Sequence, residues 1–244
     1  MTNNNLVNWQ KYNENIVGDG KVTFGDGHVG GCNIFGDPAT ECPKMWKYLT
    51  DSFKIKSVID VGCGFGFHTK YFKEVLNCGV LGIEGSKKVV ELSLLPNHVM
   101  WHDYTNGPYV PEKIYDFCWS IEFVEHVEEK FKQNFIETFK KCKYLAITHG
   151  LPGQGGYHHV NCQPPEYWIE ELKKNGFDLM PEITEECRKI SLIDFNDYIE
   201  WRADTSPNKP YRGPAAEAND HKKDAFLIPY FSQNGLVFIN KAYV

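Results

Sequence analysis

Three glycines at alternate positions, Gly62, Gly64 and Gly66, follow the apolar run Val58-Ile59-Asp60-Val61 in this 244-residue chain. Glycine at the end of a strand lets the backbone approach a ligand where any Cβ would clash. The spacing is G-x-G-x-G, not the G-x-G-x-x-G of dinucleotide-binding loops, and Asp60 precedes the first glycine. A carboxylate there repels a pyrophosphate and suits a ligand carrying an ammonium group. Glu84, 18 residues after Gly66, ends the run Val80-Leu81-Gly82-Ile83. At that place an acid accepts hydrogen bonds from both hydroxyls of a ribose and disfavours a 2′-phosphate. No G-x-x-x-x-G-K-[ST] occurs, so a triphosphate cradle of that kind is excluded.

These residues need a framework that holds strand ends side by side. Lys56–Gly62, Val80–Glu84, His98–His102, Tyr115–Ile121 and Tyr144–Thr148 read as strands. Between them His68–Leu76, Lys87–Leu95 and Glu128–Lys141 read as helices. Pro165–Asn175 is an amphipathic helix with Gly176 as its C-cap, and Gly235–Asn240 is a final strand. Such alternation predicts a mostly parallel sheet with helices on both faces. Residues 1–53 form an N-terminal cover: Gly, Asn and Asp make 8–42 a region of turns and hairpins, and a helix carries Met45, Trp46, Leu49 and Phe53. Residues 54–184 and 233–244 form the core. Residues 185–232 interrupt it with a helix near Ile190–Arg202 and a Pro-rich polar loop at 204–222, which reads as a substrate-facing lid.

Asp60-Val61-Gly62-Cys63-Gly64-Phe65-Gly66 resembles the first motif of the Rossmann-like, S-adenosylmethionine-dependent methyltransferases, and the segment Tyr115–His126 resembles their fourth-strand motif. The resemblance runs from about Lys56 to Phe177 and resumes at Gly235–Lys241. It implies an α/β, three-layer αβα sandwich whose seven-stranded sheet is parallel except for an antiparallel last strand. It implies S-adenosyl-L-methionine as cofactor, with Gly62, Cys63, Gly64 and Gly66 against its methionine and ribose part and Asp60 near the amino group. Glu84 and Gly85 would meet the ribose, Asp103 the adenine amino group, Tyr104 the ring, and Ser120 and Ile121 the end near the methyl group. Asp116 reads as a structural brace.

Methyl transfer to a hydroxyl needs alignment and removal of a proton, which directs attention to histidine. His149, His158 and His159 lie in the Gly-rich stretch Thr148–Asn161, with His126 and Glu122 as further catalytic candidates. Neighbours in extended chain point to opposite sides, so one of His158 and His159 is expected to face the site. The region has no Asp-Asp or Asp-Asn pair, and no metal is expected.

For the acceptor, the DNA-amino motif [DN]PP[YFW] and a Pro-Cys nucleophile are both missing. A net charge of −6 disfavours nucleic acid. The stretches Gly36–Leu49 and Gly155–Phe177 look like small viral and bacterial methyltransferases associated with glycan synthesis. That likeness implies O-methylation of a sugar hydroxyl or another small molecule, with Trp101, Trp119, Tyr157 and Trp201 available to stack on sugar rings. An RNA or protein methyltransferase and a non-catalytic cofactor-binding protein are the alternatives. Eight cysteines without a C-x-x-C pair, and no signal-like or spanning segment, lead to the expectation of a cytoplasmic protein without membrane attachment.

Overall fold

The computed structural model describes residues 16–17, 21–22, 28–33, 36–203 and 229–243. Two-residue strands β1 (Ile16–Val17), β2 (Lys21–Val22) and β3 (Cys32–Asn33) pair as a small antiparallel sheet. After helix α1 (Pro43–Phe53) comes the main sheet. Its strands are β4 (Ser57–Val61), β5 (Gly79–Glu84), β6 (Val99–Trp101), β7 (Tyr115–Ser120), β8 (Cys142–Ile147), β9 (Phe177–Leu179) and β10 (Leu236–Asn240). They lie in the order β6-β5-β4-β7-β8-β10-β9. The first five in that order run parallel, and β10 pairs antiparallel with both β8 and β9. The expected seven-stranded α/β sandwich is the fold found.

Period-two alternation of side chains divides each central strand between two cores. Ile59, Val61, Cys118, Leu145, Ile147 and Phe238 pack on one face with Phe135 and Phe139 of α4 (Lys132–Phe139) and Trp168 and Leu172 of α5 (Pro165–Lys174). Val58, Phe117, Trp119, Ala146 and Val237 pack on the other. There they meet Trp46 and Leu49 of α1, Phe72 of α2 (Phe67–Glu74), Cys187 of α6 (Pro181–Ala203) and Phe231 of α7 (Tyr230–Asn234). The short helix α3 (Lys87–Glu91) joins β5 to β6. Asp116 is the brace it was expected to be: its Oδ2 accepts the amides of Lys56 and Ser57, and Oδ1 pairs with Lys143.

Several boundaries differ from the sequence reading. The α3 helix stops at Glu91, where Leu92 to Pro96 turn back toward β6. The run expected as helix from Glu128 opens with a 3-10 turn over Glu129–Phe131 before α4. The helix expected at Ile190–Arg202 begins at Pro181, directly after β9, so residue 185 falls inside α6. The loop at 204–222 lies outside the described residues. Among the described residues, no helix is long and apolar enough to cross a membrane.

The long α6 also supplies what α1 lacks. Cys42, at the N-cap of α1, offers no capping bond. Buried Asp194 of α6 instead accepts the amides of Lys44 (3.0 Å) and Met45 (3.1 Å). A carboxylate at a helix N-terminus satisfies orphan donors and opposes the dipole. Asp194→Ala is expected to lower stability by about 2–3 kcal/mol in urea unfolding, because buried amides lose their acceptor. A loss within the ordinary surface range would show that α1 does not depend on this cap.

Candidate functional site

The C-terminal ends of β4, β5, β6 and β7 open onto a cleft with two compartments. The first, about 640 Å³, is lined by Gly62, Ile83, Glu84, Gly85, His102–Thr105, Glu122, Phe123, His126 and Val127, and roofed by His28–Cys32. The second, about 760 Å³, is lined by Gly62–Phe65, Phe67, His68, Ile121, Glu122 and His126, with Asp37, Thr40 and Tyr230 across from them. Both volumes include the open mouths of the compartments. Gly62, Glu122 and His126 belong to both compartments.

The glycine loop is shaped by close contact. Gly62 has φ +78°, and a Cβ there would lie 2.5 Å from the Phe123 ring. The loop is tied to β5 by Glu84: Gly64 N–H donates to Oε2 (3.0 Å), and Ser86 N–H donates to Oε1 (2.9 Å). Asp60 lies behind the loop. It is buried, accepts a hydrogen bond from Thr69 (2.6 Å), and is not among the residues lining either compartment. Burial pushes its carboxyl up to about 7, and nearby Glu84 adds to the rise against the Thr69 bonds.

At the far end Asp103 caps a short 3-10 turn through Thr105 N–H (2.8 Å) and meets His28 (2.8 Å). Desolvation opposes its ionisation, but the bonds from His28 and Thr105 hold it below the usual carboxylate range. Tyr104 is buried, with its hydroxyl on Thr138 (2.8 Å). Of the other expected cofactor residues, Cys63, Gly64, Gly85 and Ile121 line the cleft. Gly66 and Ser120 do not, and Ser120 donates to Val61 O.

The expected catalytic residues separate. Glu122 stands at φ +51°, a left-handed conformation unfavourable for a non-glycine residue. Thr148 holds it there, accepting from its N–H (2.8 Å) and donating to its carboxylate (2.9 Å). His149 is fully buried; Asn234 donates to its carbonyl, and burial holds its imidazole below the ordinary value. The alternation argument for His158 and His159 fails because His158 has φ +54° and the chain there is not extended. Both rings turn toward His126: His158 Nδ1 donates to His126 O (3.0 Å), and the His159 ring meets that of His126 edge-on at 4.9 Å. Neither lines a compartment.

Trp119 is core, not a sugar platform, with no exposed surface and its indole N–H on His68 Nδ1 (3.1 Å). Trp101 faces outward beneath Lys87, and the side chain of Trp201 lies outside the described residues. Two contributors were not singled out from sequence. The roof at His28–Cys32 was read only as turns, although a histidine among glycines is its signal. His68 came from a helix, and spacing gave no sign that it faces the second compartment.

Residues 59–146, the segment that builds the cleft floor, match the family model described as Methyltransferase domain. No curated protein matches the chain in sequence. Among solved structures, PKMT2 from Rickettsia typhi is 10% identical with a TM-score of 0.51, covering 85% of this chain and 54% of that one. This chain therefore spans about half the length of PKMT2, which has also been solved in complex with AdoHcy. The methyltransferase domain of bacterial CtHen1-CN is 16% identical over 59% of this chain and 89% of that one, with a TM-score of 0.45. A SAM-dependent methyltransferase from Aquifex aeolicus is 18% identical over 58% and 82%, with a TM-score of 0.44. The chain has a Rossmann-like fold whose parallel strands lie within or overlap the matched residues. It is an enzyme, and its cofactor is S-adenosylmethionine. The cleft fits that group: a carboxylate, a close-approach glycine wall and an apolar patch of Ile83, Phe123 and Val127 meet in one cavity.

Two expectations follow. Glu84→Ala should weaken S-adenosylhomocysteine binding by about ten- to a hundredfold in calorimetry, since bonds to a charged acceptor are each worth about 1.5–3 kcal/mol. Unchanged affinity would remove Glu84 from the site. His68 is held at about 4 by burial, so the unfolded chain binds its proton first as pH falls below 6.5. Its contribution to stability is present near neutrality and lost between pH 6.5 and about 4. His68→Gln should therefore approach wild-type stability, by up to about 2 kcal/mol, between pH 7 and pH 5. A gap that is constant with pH would refute this assignment.

Proposed function

We propose that the enzyme transfers the methyl group of S-adenosylmethionine to a hydroxyl of a small polar acceptor, a sugar or nucleotide sugar, in the second compartment. The observation that carries this reading is the position of Glu122 and His126, a carboxylate and an imidazole that line both compartments. The first compartment takes the nucleoside: Glu84 and Gly85 receive the ribose, Asp103 the adenine amino group, and Tyr104 flanks the ring. Gly62, Cys63, Gly64 and Ile121 meet the methionine end, while Asp60, Gly66 and Ser120 hold the loop from behind.

In the reaction the acceptor oxygen attacks the methyl carbon as the carbon–sulfur bond breaks. That bond's electron pair stays on sulfur, giving a neutral thioether and a methyl ether. The acceptor proton leaves toward the Glu122–His126 wall, and of the catalytic histidines expected from sequence His126 is the one that lines it. Among the described residues of the second compartment there is no Lys or Arg, while Asn33, Asp37, Thr40, His68 and Glu122 are polar. Such a lining suits hydroxyl groups and offers nothing to neutralise a nucleic-acid backbone.

Incubation with labelled donor and separate pools of nucleotide sugars, oligosaccharides, RNA and protein should place label on the sugar pools. Label confined to RNA or protein would overturn the reading. His126→Ala should lower kcat by about a hundredfold or more while leaving S-adenosylhomocysteine affinity unchanged. Full turnover in that variant would exclude His126 from the chemistry.

A further inference from the structure

Glu125, His126 and His159 each present a ligand atom, and these atoms all lie within 4.8 Å of one another. We propose that they bind a divalent first-row transition-metal ion that opens onto the cleft. A carboxylate with two imidazoles is a borderline donor set with positions left for exchangeable ligands. Ligand atoms about 2.1 Å from a common ion stand about 3–4 Å apart, so the widest separation closes by about 1–2 Å when the ion enters.

The surroundings are built around these three side chains. A Cβ on Gly30 would lie 2.7 Å from the His126 ring, and one on Gly156 would lie 2.3 Å from the His159 ring. A Cβ on Gly150 would lie 3.1 Å from Glu125 Cβ. Each ligand thus rests on a different glycine, two of them from the Thr148–Asn161 stretch and one from the roof. The His126 Nδ1 faces the carbonyl of His158 at 3.2 Å, and a carbonyl only accepts, so that nitrogen carries the proton. Its Nε2 keeps a lone pair for an ion, the arrangement by which outer partners orient ligating histidines. His158 completes the outer layer through its bond to His126 O. The amides of Val160 (2.9 Å) and Asn161 (3.0 Å) donate to Glu125 O, clamping the stretch that carries His159 onto the one that carries Glu125 and His126. Glu125 itself is fully buried, and a buried carboxylate is stabilised by a cation.

Sequence gives no Asp-Asp or Asp-Asn pair, and the ligands come together only through the fold, since His126 and His159 are 33 positions apart. Because His126 lines both compartments, the ion's open positions face the acceptor. Methyl transfer exchanges no electrons with the ion, so its part is that of a Lewis acid. It binds the acceptor hydroxyl and makes it more acidic, the proton passes to Glu122, and the resulting oxygen attacks the methyl carbon. That role, unlike the binding itself, rests on the hydroxyl-acceptor reading above.

The test is titration of the metal-stripped protein with Mn²⁺, followed by the electron paramagnetic resonance of the free ion, and with Co²⁺, followed by its visible spectrum. One equivalent of each should bind, with no thiolate charge-transfer band although Cys162 Sγ lies 3.7 Å from His159 Nδ1. Glu125→Gln and His159→Ala should each weaken Mn²⁺ binding by about a hundredfold or more, and Cys162→Ala should not. Retained circular dichroism and S-adenosylhomocysteine binding show that the variants are folded. Absence of saturable binding by the wild type, or wild-type affinity in His159→Ala, overturns the site. Stoichiometric binding without methylation of any hydroxyl acceptor supports the site and overturns the reading on which its role rests.

Discussion

The cleft depends first on one carboxylate. Glu84 takes the amide of Gly64 on one oxygen and that of Ser86 on the other, so the ends of β4 and β5 are fixed by a group that also lines the first compartment. A flexible loop of alternating glycines would otherwise carry a large entropic cost of ordering on every binding event. The tie spends that ordering during folding. Gly82 on β5 makes it sterically feasible, since a Cβ there would lie 2.7 Å from Cys63 Sγ and lift the loop off the strand.

The opposite wall is built by a different device. Beyond β7 and β8 the chain leaves regular structure, and backbone groups need new partners. Glu125 O supplies one acceptor for two amides from the 157–161 stretch, and Thr148 satisfies the amide of Glu122. Two non-glycine residues, Glu122 and His158, sit at positive φ here. Such backbone strain persists only where surroundings over-determine it, and Glu122 brings it to the edge of both compartments. The wall is therefore stiff, as a site that must align an acceptor with a carbon–sulfur bond requires.

Sequence revealed the first wall better than the second for a physical reason. Gly62, Gly64, Glu84 and Asp103 follow strand ends, and a parallel sheet brings strand ends together whatever the loops do. Within those strands the two-residue period sends Ile59 and Val58, or Cys118 and Phe117, to opposite faces. His126, His158 and His159 meet through a non-extended turn, where neither a period of two nor one of 3.6 describes side-chain direction. Trp119 was misread for a related reason, because aromatic type alone does not tell a core residue from a platform. β9, with three residues, is too short to carry a pattern, and its place is set by pairing with β10.

The two walls divide the electrostatic work. Under the proposed hydroxyl-acceptor reading, a sulfonium cation passes its charge to the acceptor oxygen, which then sheds a proton. A carboxylate near the acceptor, as Glu122 is in the second compartment, stabilises charge where it arrives. Asp60 and Glu84 lie on the glycine-loop side, and their negative field favours the cationic cofactor before transfer over the neutral thioether after it. The same field would slow the reaction if it acted only on the ground state. Asp60 being raised to about 7 limits that penalty, because near neutrality the buried carboxyl is partly protonated and Glu84 is left as the full charge beside the loop. Phe65, Phe67 and Ile121 line the second compartment and restrict the water that would compete for the methyl group.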